Sequence, residues 1–255
     1  MKTLRNLIFA MSLYTRLPLR LKNAKEEDCA HVLVFLPLAG LVAGAALYGA
    51  YVLITGCELP LVFSCCALSL IPLVITGGFH VDGFMDVQDA RSSYKSREEK
   101  LAILKDPHIG AFAVIRLFML AGCWIACLSL LLWKEVERLL LLHALSFVTV
   151  RAACGLTALL FPHAKREGML EMESAGSKTG DVIILALTYA IAVMAMCVVH
   201  PLGGLCSIAA LLLFAAWYHT MCKKEFGGVT GDTSGYFVTV GEALILIVLA
   251  CLTWI

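Results

Sequence analysis

The chain has 255 residues, of which 60% are hydrophobic and only 15% charged, and its mean hydropathy is +0.87. Soluble globular domains are usually about 45–50% apolar and about 25% charged, so a disordered chain is excluded and a soluble enzyme is disfavoured. The formal net charge is +1, and the basic residues form no stripe with interleaved aromatic residues, so we expect no nucleic acid partner. The composition predicts a protein that crosses a lipid bilayer several times.

The N-terminal 30 residues combine six basic side chains with the short apolar run Leu7–Tyr14. The run is too short to cross a bilayer, and no small-residue cleavage site follows it, which argues against a cleaved signal peptide. We therefore expect an amphipathic segment that lies on the inner membrane surface.

Long stretches with few or no charges follow this segment, separated by polar or turn-rich sequence. Each is long enough for one helical crossing. They predict an all-α bundle of about seven transmembrane helices, built as one membrane-embedded domain over residues 1–255. The pair around His200 is so tightly joined that either a helical hairpin or a partly re-entrant segment fits it. The stretches are 31–55, 59–79, 110–133, 139–161, 182–200, 201–220 and 236–255.

The distribution of Lys and Arg predicts the orientation. With the N-terminus inside, 16 of the 20 basic residues fall in four inner segments, and only Lys134 and Arg138 fall in outer turns. We therefore expect a multi-pass protein of the bacterial cytoplasmic membrane whose polar chemistry faces the cytoplasm. The inner segments are 1–30, 80–108, 162–181 and 221–235.

Three aspartates mark the first of the polar loops. Asp82, Asp86 and Asp89 are spaced i, i+4 and i+7, which places them within about 60° of one another on a helix. Like charges on one face repel, so a cation is expected among them. Carboxylate ligands without cysteine favour Mg²⁺ or Mn²⁺, which also binds substrate phosphates. The alternative is a solvated acidic face at the end of a span.

Other polar residues lie close to this stripe in sequence. His80 falls far around the helix from the aspartates, so it is a candidate substrate contact or an interfacial histidine without a role. Lys105 and Asp106 end the same loop. Asp106 is expected either to cap the following helix or to join the metal site.

A second polar segment, Gly227–Gly235, has four glycines in nine residues, together with hydroxyl groups and Asp232. Such a loop lets backbone N–H groups approach an anion, although the spacing is not that of a Walker A motif. A simple turn is the alternative. Arg151 and Glu242 are charges embedded in apolar spans, where ions pair with each other or face a cavity.

Several of these motifs, in this order, resemble the cobalamin synthase family, also called adenosylcobinamide-GDP ribazoletransferases. The similarity covers nearly the whole chain. In one departure, Gln88-Asp89-Ala90-Arg91 replaces the Ala-Asp-Gly that is more common in the family. The matching segments are Thr15-Arg16-Leu17-Pro18, Gly77–Gly83, Asp86, Asp89, Lys105-Asp106, Ile109–Phe112, Arg151, Arg166-Glu167-Gly168, Gly228–Thr233 and Glu242.

The resemblance implies a magnesium-dependent phosphotransfer. A hydroxyl of α-ribazole or α-ribazole 5′-phosphate would attack adenosylcobinamide-GDP, GMP would leave, and adenosylcobalamin or its 5′-phosphate would form. The catalytic candidates are Asp82, Asp86, Asp89 and Asp232, and the first three are the candidate Mg²⁺ ligands. The candidate substrate-binding residues are Arg16, His80, Lys105, Asp106, Arg151, Gly228, Gly231 and Thr233.

Two other interpretations stay open from the sequence. A cation-coupled transporter would also use carboxylates in the membrane, but its sites tend to lie near the midplane rather than at a cytoplasmic loop. The CDP-alcohol phosphotransferases share aspartates at helical spacing after an Asp-Gly pair, but Asp86-Val87 stands where they have Ala-Arg, so they serve only as a chemical analogue. The sequence leaves open whether the chain forms a homo-oligomer.

Overall fold

The structure is a computed structural model that describes residues 2–19, 29, 31–134, 136–164, 169–174, 177 and 179–254. These residues form α-helices and no strand, apart from an isolated bridge between His163 and Val229, so the predicted all-α class is confirmed. A 3₁₀ turn over Val32–Phe35 leads into the second α-helix. The helices are α1 (Lys2–Tyr14), α2 (Leu36–Gly56), α3 (Leu61–Thr76), α4 (Phe79–Ser92), α5 (Arg97–Ile103), α6 (Ala111–Trp133), α7 (Glu137–Leu160), α8 (Met169–Ser174), α9 (Thr179–Val199), α10 (Pro201–Glu225) and α11 (Gly231–Leu252).

Among the residues that the structure describes, six helices are long and apolar enough to cross a membrane: α2, α6, α7, α9, α10 and α11. The pair α3 and α4 makes a seventh if it is taken as one broken span, because the two helices meet at an angle of 95°. The 16 residues of α3 extend about 24 Å, most of the thickness of a bilayer core. We therefore treat α3 as the crossing part of the pair and α4 as lying across the end of the bundle.

The tightly joined pair around His200 is a hairpin of two long helices. The helices α9 and α10 have 21 and 25 residues, so each is long enough for a full crossing. The His200 side chain accepts a hydrogen bond of 2.9 Å from the Gly203 N–H, which caps the start of α10. Of the two arrangements that the sequence left open, the structure has the helical hairpin.

The centre of the bundle is made by α7 and α11. Glycines let α2 approach α7 closely, because a Cβ at Gly40 or Gly44 would overlap backbone carbonyls of Phe147 or Ala144. This four-residue spacing of small residues is common where membrane helices pack. An ion pair within the bundle, between Arg151 of α7 and Glu242 of α11, joins the two central helices.

The polar segments predicted to be on the inner side lie at one end of this bundle. Arg91 forms an ion pair with Glu225 at 3.2 Å, and the Val229 N–H donates to the Pro162 carbonyl at 2.8 Å. The two contacts connect the segments after α3, α7 and α10. Residues 20–28 and 165–168, which belong to the predicted inner segments, lie outside the described residues.

The opposite end of the bundle carries the predicted outer turns. The Tyr48 hydroxyl donates to Glu137 at 2.6 Å, which connects α2 to the start of α7. The Lys134 ammonium lies 4.3 Å from the ring centroid of Trp254 and 5.0 Å from that of Trp133. The end of α6, the start of α7 and the end of α11 thus lie at the same end of the bundle, as the predicted order of membrane crossings requires.

Candidate active site

A sharp turn at Gly77-Gly78 positions α4. Both glycines have positive φ angles, 66° and 77°, a backbone region that other residues adopt only with strain. A Cβ at Gly77 would also overlap the side chain of Arg16. The turn redirects the chain by 95° and lays α4 over the end of the bundle.

The three predicted aspartates lie on α4, as the spacing required. Asp82 is exposed, whereas Asp86 and Asp89 are half-buried. A Cβ at Gly110 would overlap the Asp89 carboxylate, so the glycine just before α6 makes room for this side chain. The Ile109-Gly110 motif thus has a direct structural role beside the stripe.

Asp232 joins the stripe because α4 crosses the first turns of α11 at two glycines. A Cβ on Gly83 would lie 2.7 Å from the Asp232 carbonyl oxygen, and one on Gly235 would lie 2.9 Å from the His80 carbonyl oxygen. No real Cβ fits at such distances without a shift of the backbone. The two glycines therefore bring together segments that are about 150 positions apart in the chain.

The four carboxylates repel one another. Burial, together with the charges of Asp82, Asp232 and Asp89 in decreasing order of effect, raises the pKa of Asp86 to about 6. In the part of the chain that the structure describes, no cationic side chain forms an ion pair with Asp82, Asp86 or Asp89. The half-buried negative charge is the kind of site that a cation would stabilise.

The chemistry of these donors fits a hard divalent cation such as Mg²⁺. The fit lies in the donor types rather than in their present spacing. As their side chains stand, no three carboxylate, imidazole or thiol groups among the described residues are placed to hold one ion. Asp82, Asp86 and Asp89 thus lie on one helix, and the charges of Asp82 and Asp89 act on Asp86. The binding of one metal ion by all three stays a prediction.

A cleft of about 560 Å³ opens beside the first of these aspartates. Arg16 and Asp82 both line it, and the glycine turn at Gly77-Gly78 forms part of its lining. The Arg16 backbone N–H donates to the Ile75 carbonyl at 2.7 Å, which fixes the segment after α1 against the end of α3. The cleft therefore places one predicted substrate-binding cation next to the carboxylate cluster.

The glycine-rich segment is shorter than predicted, because α11 already begins at Gly231. The Gly228 N–H donates to the Cys222 carbonyl at 3.1 Å, and a Cβ at Gly228 would meet the Pro162 carbonyl. These contacts give Gly228 a structural role, and its amide is not available to an anion. Gly231 is exposed at the start of α11 and stays a candidate substrate contact.

Thr230, rather than Asp232, caps α11. The Thr233 N–H donates to Thr230 Oγ1 at 3.1 Å, and the Thr230 N–H donates to Thr233 Oγ1 at 2.8 Å. Thr233 is fully buried and also accepts a hydrogen bond from Tyr218 at 3.1 Å. Its geometry is therefore that of a capping residue, and the expected substrate contact stays a prediction.

The loop before α6 does not approach the cluster through the contacts that the sequence predicted. Asp106 Oδ1 accepts a hydrogen bond of 3.0 Å from the His108 N–H and also contacts the His108 ring, so it does not cap α6, and its role in a metal or substrate site stays a prediction. Gly110 occupies the capping position of α6. Lys105 is exposed.

Two further candidates lie deeper in the bundle. Arg151 is buried and paired with Glu242, which realises the pairing that intramembrane charges favour. His80 is buried and stacks on Tyr14, with ring centroids 6.3 Å apart. Both side chains line an apolar cavity beneath α4.

A buried carboxylate that the sequence did not reveal lies close to His80 and to the first turns of α11. Glu173 of α8 is only 6% exposed and lines a small pocket with Tyr14, His80 and Gly235. Burial raises the pKa of Glu173 to about 7, although its contact with Tyr14 opposes the shift. Its short sequence context carries no motif, and only the packing of α8 against the bundle brings it here.

Comparison with known proteins gives a clear result. The profile of the cobalamin-5-phosphate synthase family matches residues 6–250. The chain belongs to this family. It is accordingly a multi-pass membrane transferase of cobalamin biosynthesis. The resemblance seen in the sequence motifs is thereby confirmed.

Curated relatives span almost the same length. The adenosylcobinamide-GDP ribazoletransferase of Lachnoclostridium phytofermentans is 33% identical to this chain, over 96% of the chain and 92% of the relative. The protein of the same name from Clostridium botulinum strain Alaska E43 is 31% identical, over 93% of the chain and 94% of the relative. The Brevibacillus brevis protein of the same name is 30% identical over 97% of this chain and 98% of its own. No solved structure matches the chain.

Proposed function

We propose that this protein joins α-ribazole, or its 5′-phosphate, to adenosylcobinamide-GDP. A ribose hydroxyl attacks the phosphorus next to the cobinamide, the bond from that phosphorus to GMP breaks, and the hydroxyl proton is lost to a base. The products are GMP and adenosylcobalamin or its 5′-phosphate. The observation that carries the proposal is the carboxylate cluster of Asp82, Asp86, Asp89 and Asp232 beside the Arg16 cleft.

The chain supplies charge and position for this displacement. Phosphoryl-type transfer depends on charge neutralisation and alignment more than on covalent chemistry by the protein. Arg16 faces the cleft and is suited to bind a phosphate oxygen, since guanidinium groups bind phosphate with directed hydrogen bonds. Gly231, exposed at the start of α11, offers an N–H at the positive end of a helix dipole.

In this proposal Asp82, Asp86 and Asp89 hold a divalent cation, with Mg²⁺ as the expected ion. When bound, such an ion neutralises charge on the phosphates of the nucleotide. Asp232 is a fourth ligand or the group that accepts the hydroxyl proton. The raised pKa of Asp86, caused by burial and by its three aspartate neighbours, agrees with a cluster that has a place for positive charge.

The site is proposed to face the cytoplasm of a bacterial inner membrane. The described polar segments lie at one end of the bundle, and the basic residues are concentrated in the same segments. A cytosolic nucleotide-activated substrate could therefore reach the cleft without crossing the bilayer. The same position argues against a cation-coupled transporter, whose site lies near the midplane.

The test is product formation by the purified protein in liposomes. With adenosylcobinamide-GDP, α-ribazole 5′-phosphate and Mg²⁺, we expect GMP and adenosylcobalamin 5′-phosphate in equal amounts. Asp82→Asn and Asp89→Asn should each nearly abolish product while the protein stays folded. Ion uptake into the liposomes without any product would instead support the transporter.

A further inference from the structure

An apolar cavity of about 380 Å³ lies directly beneath α4, within the membrane part of the bundle. Its lining comes from residues of α3, α4, α6, α7 and α11. The volume lies in the range of small-molecule sites, about 300–1,000 Å³. Most of the lining is aliphatic or aromatic, including Leu70, Leu73, Leu117, Leu120 and Trp124.

Three buried polar atoms at this cavity have no hydrogen-bond partner among the described residues: His80 Nδ1, Arg151 Nε and Thr239 Oγ1. Their residues are 6%, 1% and 6% exposed, and all three line the cavity. Buried polar groups are normally paired, because an unpaired one loses its hydration without compensation. The atoms therefore indicate a ligand with a small polar edge and a large apolar surface.

The cavity adjoins the carboxylate site. Thr76 and Val81 line both this cavity and the cleft that contains Arg16 and Asp82. A molecule whose apolar part occupies the cavity can thus place its polar part at the aspartates. The two compartments match the two parts of a nucleoside, a flat base and a hydroxylated sugar.

We infer that the cavity binds the aromatic base of the acceptor nucleoside, so that a ribose hydroxyl reaches the α4 aspartates. The inference rests on the proposed function and specifies where its acceptor binds. A flat aromatic base with few polar atoms has apolar faces that suit Trp124 and the leucines, and a ring nitrogen of such a base can pair with one of the unpartnered polar groups. Guanine carries more polar groups than this lining can satisfy, and a lipid acyl chain has none for His80, Arg151 and Thr239.

A matched pair of alanines on α6 provides the test. Both alanines are exposed, but only Ala121 lines the cavity, and Ala126 lies about 140° farther around the helix. Ala121→Phe places a large apolar side chain at the wall of the cavity without a change of charge. We expect it to raise the KM for α-ribazole 5′-phosphate at least tenfold and to leave the KM for adenosylcobinamide-GDP within twofold. Ala126→Phe should change neither constant.

A second readout does not need turnover. The Kd of α-ribazole, titrated into the purified protein without the second substrate, should rise at least tenfold in Ala121→Phe and stay unchanged in Ala126→Phe. If Ala121→Phe fails to fold, Ser69→Leu, on the α3 wall of the same cavity, replaces it with the same expectation.

The possible results separate this inference from the proposed function. Normal product formation with an unchanged KM and Kd for the nucleoside in Ala121→Phe would overturn the base site and leave the reaction standing. A selective rise in the KM for adenosylcobinamide-GDP would also overturn it, since the cavity would then serve the other substrate. A third result is that the wild type binds the nucleoside but forms no product, while Ala121→Phe binds the nucleoside more weakly. This result would support the base site and contradict the proposed reaction.

Discussion

Asp86 is the aspartate whose pKa is raised by the charges of the three neighbouring aspartates. Burial and the neighbouring carboxylates raise its pKa to about 6, so its ionised form is less favourable in the folded protein than in the unfolded chain. The shift in pKa between the folded and unfolded states determines how the free energy of unfolding changes with pH. A carboxyl whose folded pKa is raised lowers the free energy of unfolding as the pH rises through that value.

Asp86→Asn is therefore expected to stabilise the protein when metal is removed. In EDTA at pH 8, its Tm should exceed that of the wild type, because a neutral amide at position 86 removes the repulsion between this side chain and the other three carboxylates. Glu98→Gln, at an exposed position on α5, is the control and should leave the Tm unchanged. A Tm of Asp86→Asn equal to or below the wild-type value would contradict the electrostatic account.

Asp232 can be tested apart from any role in capping. Because Thr230 caps α11, Asp232→Asn should not lower the Tm, while kcat falls by orders of magnitude. Thr230→Ala, which removes the cap, should instead lower the free energy of unfolding by about 1 kcal/mol. A near-normal kcat in Asp232→Asn would remove this residue from the proposed site.

Single residues show what a sequence can and cannot reveal here. The helical spacing of Asp82, Asp86 and Asp89 was readable because it depends on one local helix. The roles of Gly228 and Thr233 were not, since they depend on contacts with Pro162 and Tyr218 from other parts of the chain. Glu173 was missed for the same reason.

At the scale of elements, the crossing of α4 over α11 holds the site together. Gly83 and Gly235 allow the two helices to approach, and a Cβ at either position would lie within 3.0 Å of a backbone oxygen of the other helix. Separation of the helices would move Asp232 away from the α4 aspartates. The close packing is thus a condition for the cluster.

Gly83→Ala and Gly235→Ala are both expected to lower kcat at least tenfold and to reduce the free energy of unfolding by about 1–3 kcal/mol, the usual cost of overpacking. Gly122→Ala is the matched control, because a Cβ there meets no atom within 4 Å. Its activity and Tm should stay at the wild-type values. Full activity in both crossing variants would show that the contact is not needed for the site.

The spans were more predictable than the connections between them. Long apolar stretches such as 110–133 correspond closely to a helix, here α6, because the bilayer sets the length of each crossing. The bend at Gly77-Gly78 and the start of α11 at Gly231 depend on tertiary packing and on the Thr230 cap. The sequence therefore indicated the bundle, and the structure was needed for the geometry of its polar end.

At the scale of the whole molecule, the orientation in the membrane decides which compartment reaches the site. Tyr94 is 93% exposed near the carboxylate end, and the native Cys57 is exposed near the opposite end, just after α2. In a background without other cysteines, Tyr94→Cys should react with an impermeant maleimide only from the cytoplasmic side, and Cys57 only from outside. Labelling of position 94 from outside would reverse the orientation and place the site out of reach of cytosolic nucleotide.

The central claim is that the aspartates of α4 hold the divalent cation on which the transfer depends. Its most direct measurement is a titration with Mn²⁺, followed by electron paramagnetic resonance, on the purified wild-type protein and on Asp86→Asn, with GMP release measured on the same samples. We expect the wild type to bind Mn²⁺ and to release GMP, and Asp86→Asn to lose both although it remains folded. Equal Mn²⁺ binding and equal GMP release by the two proteins would contradict the account.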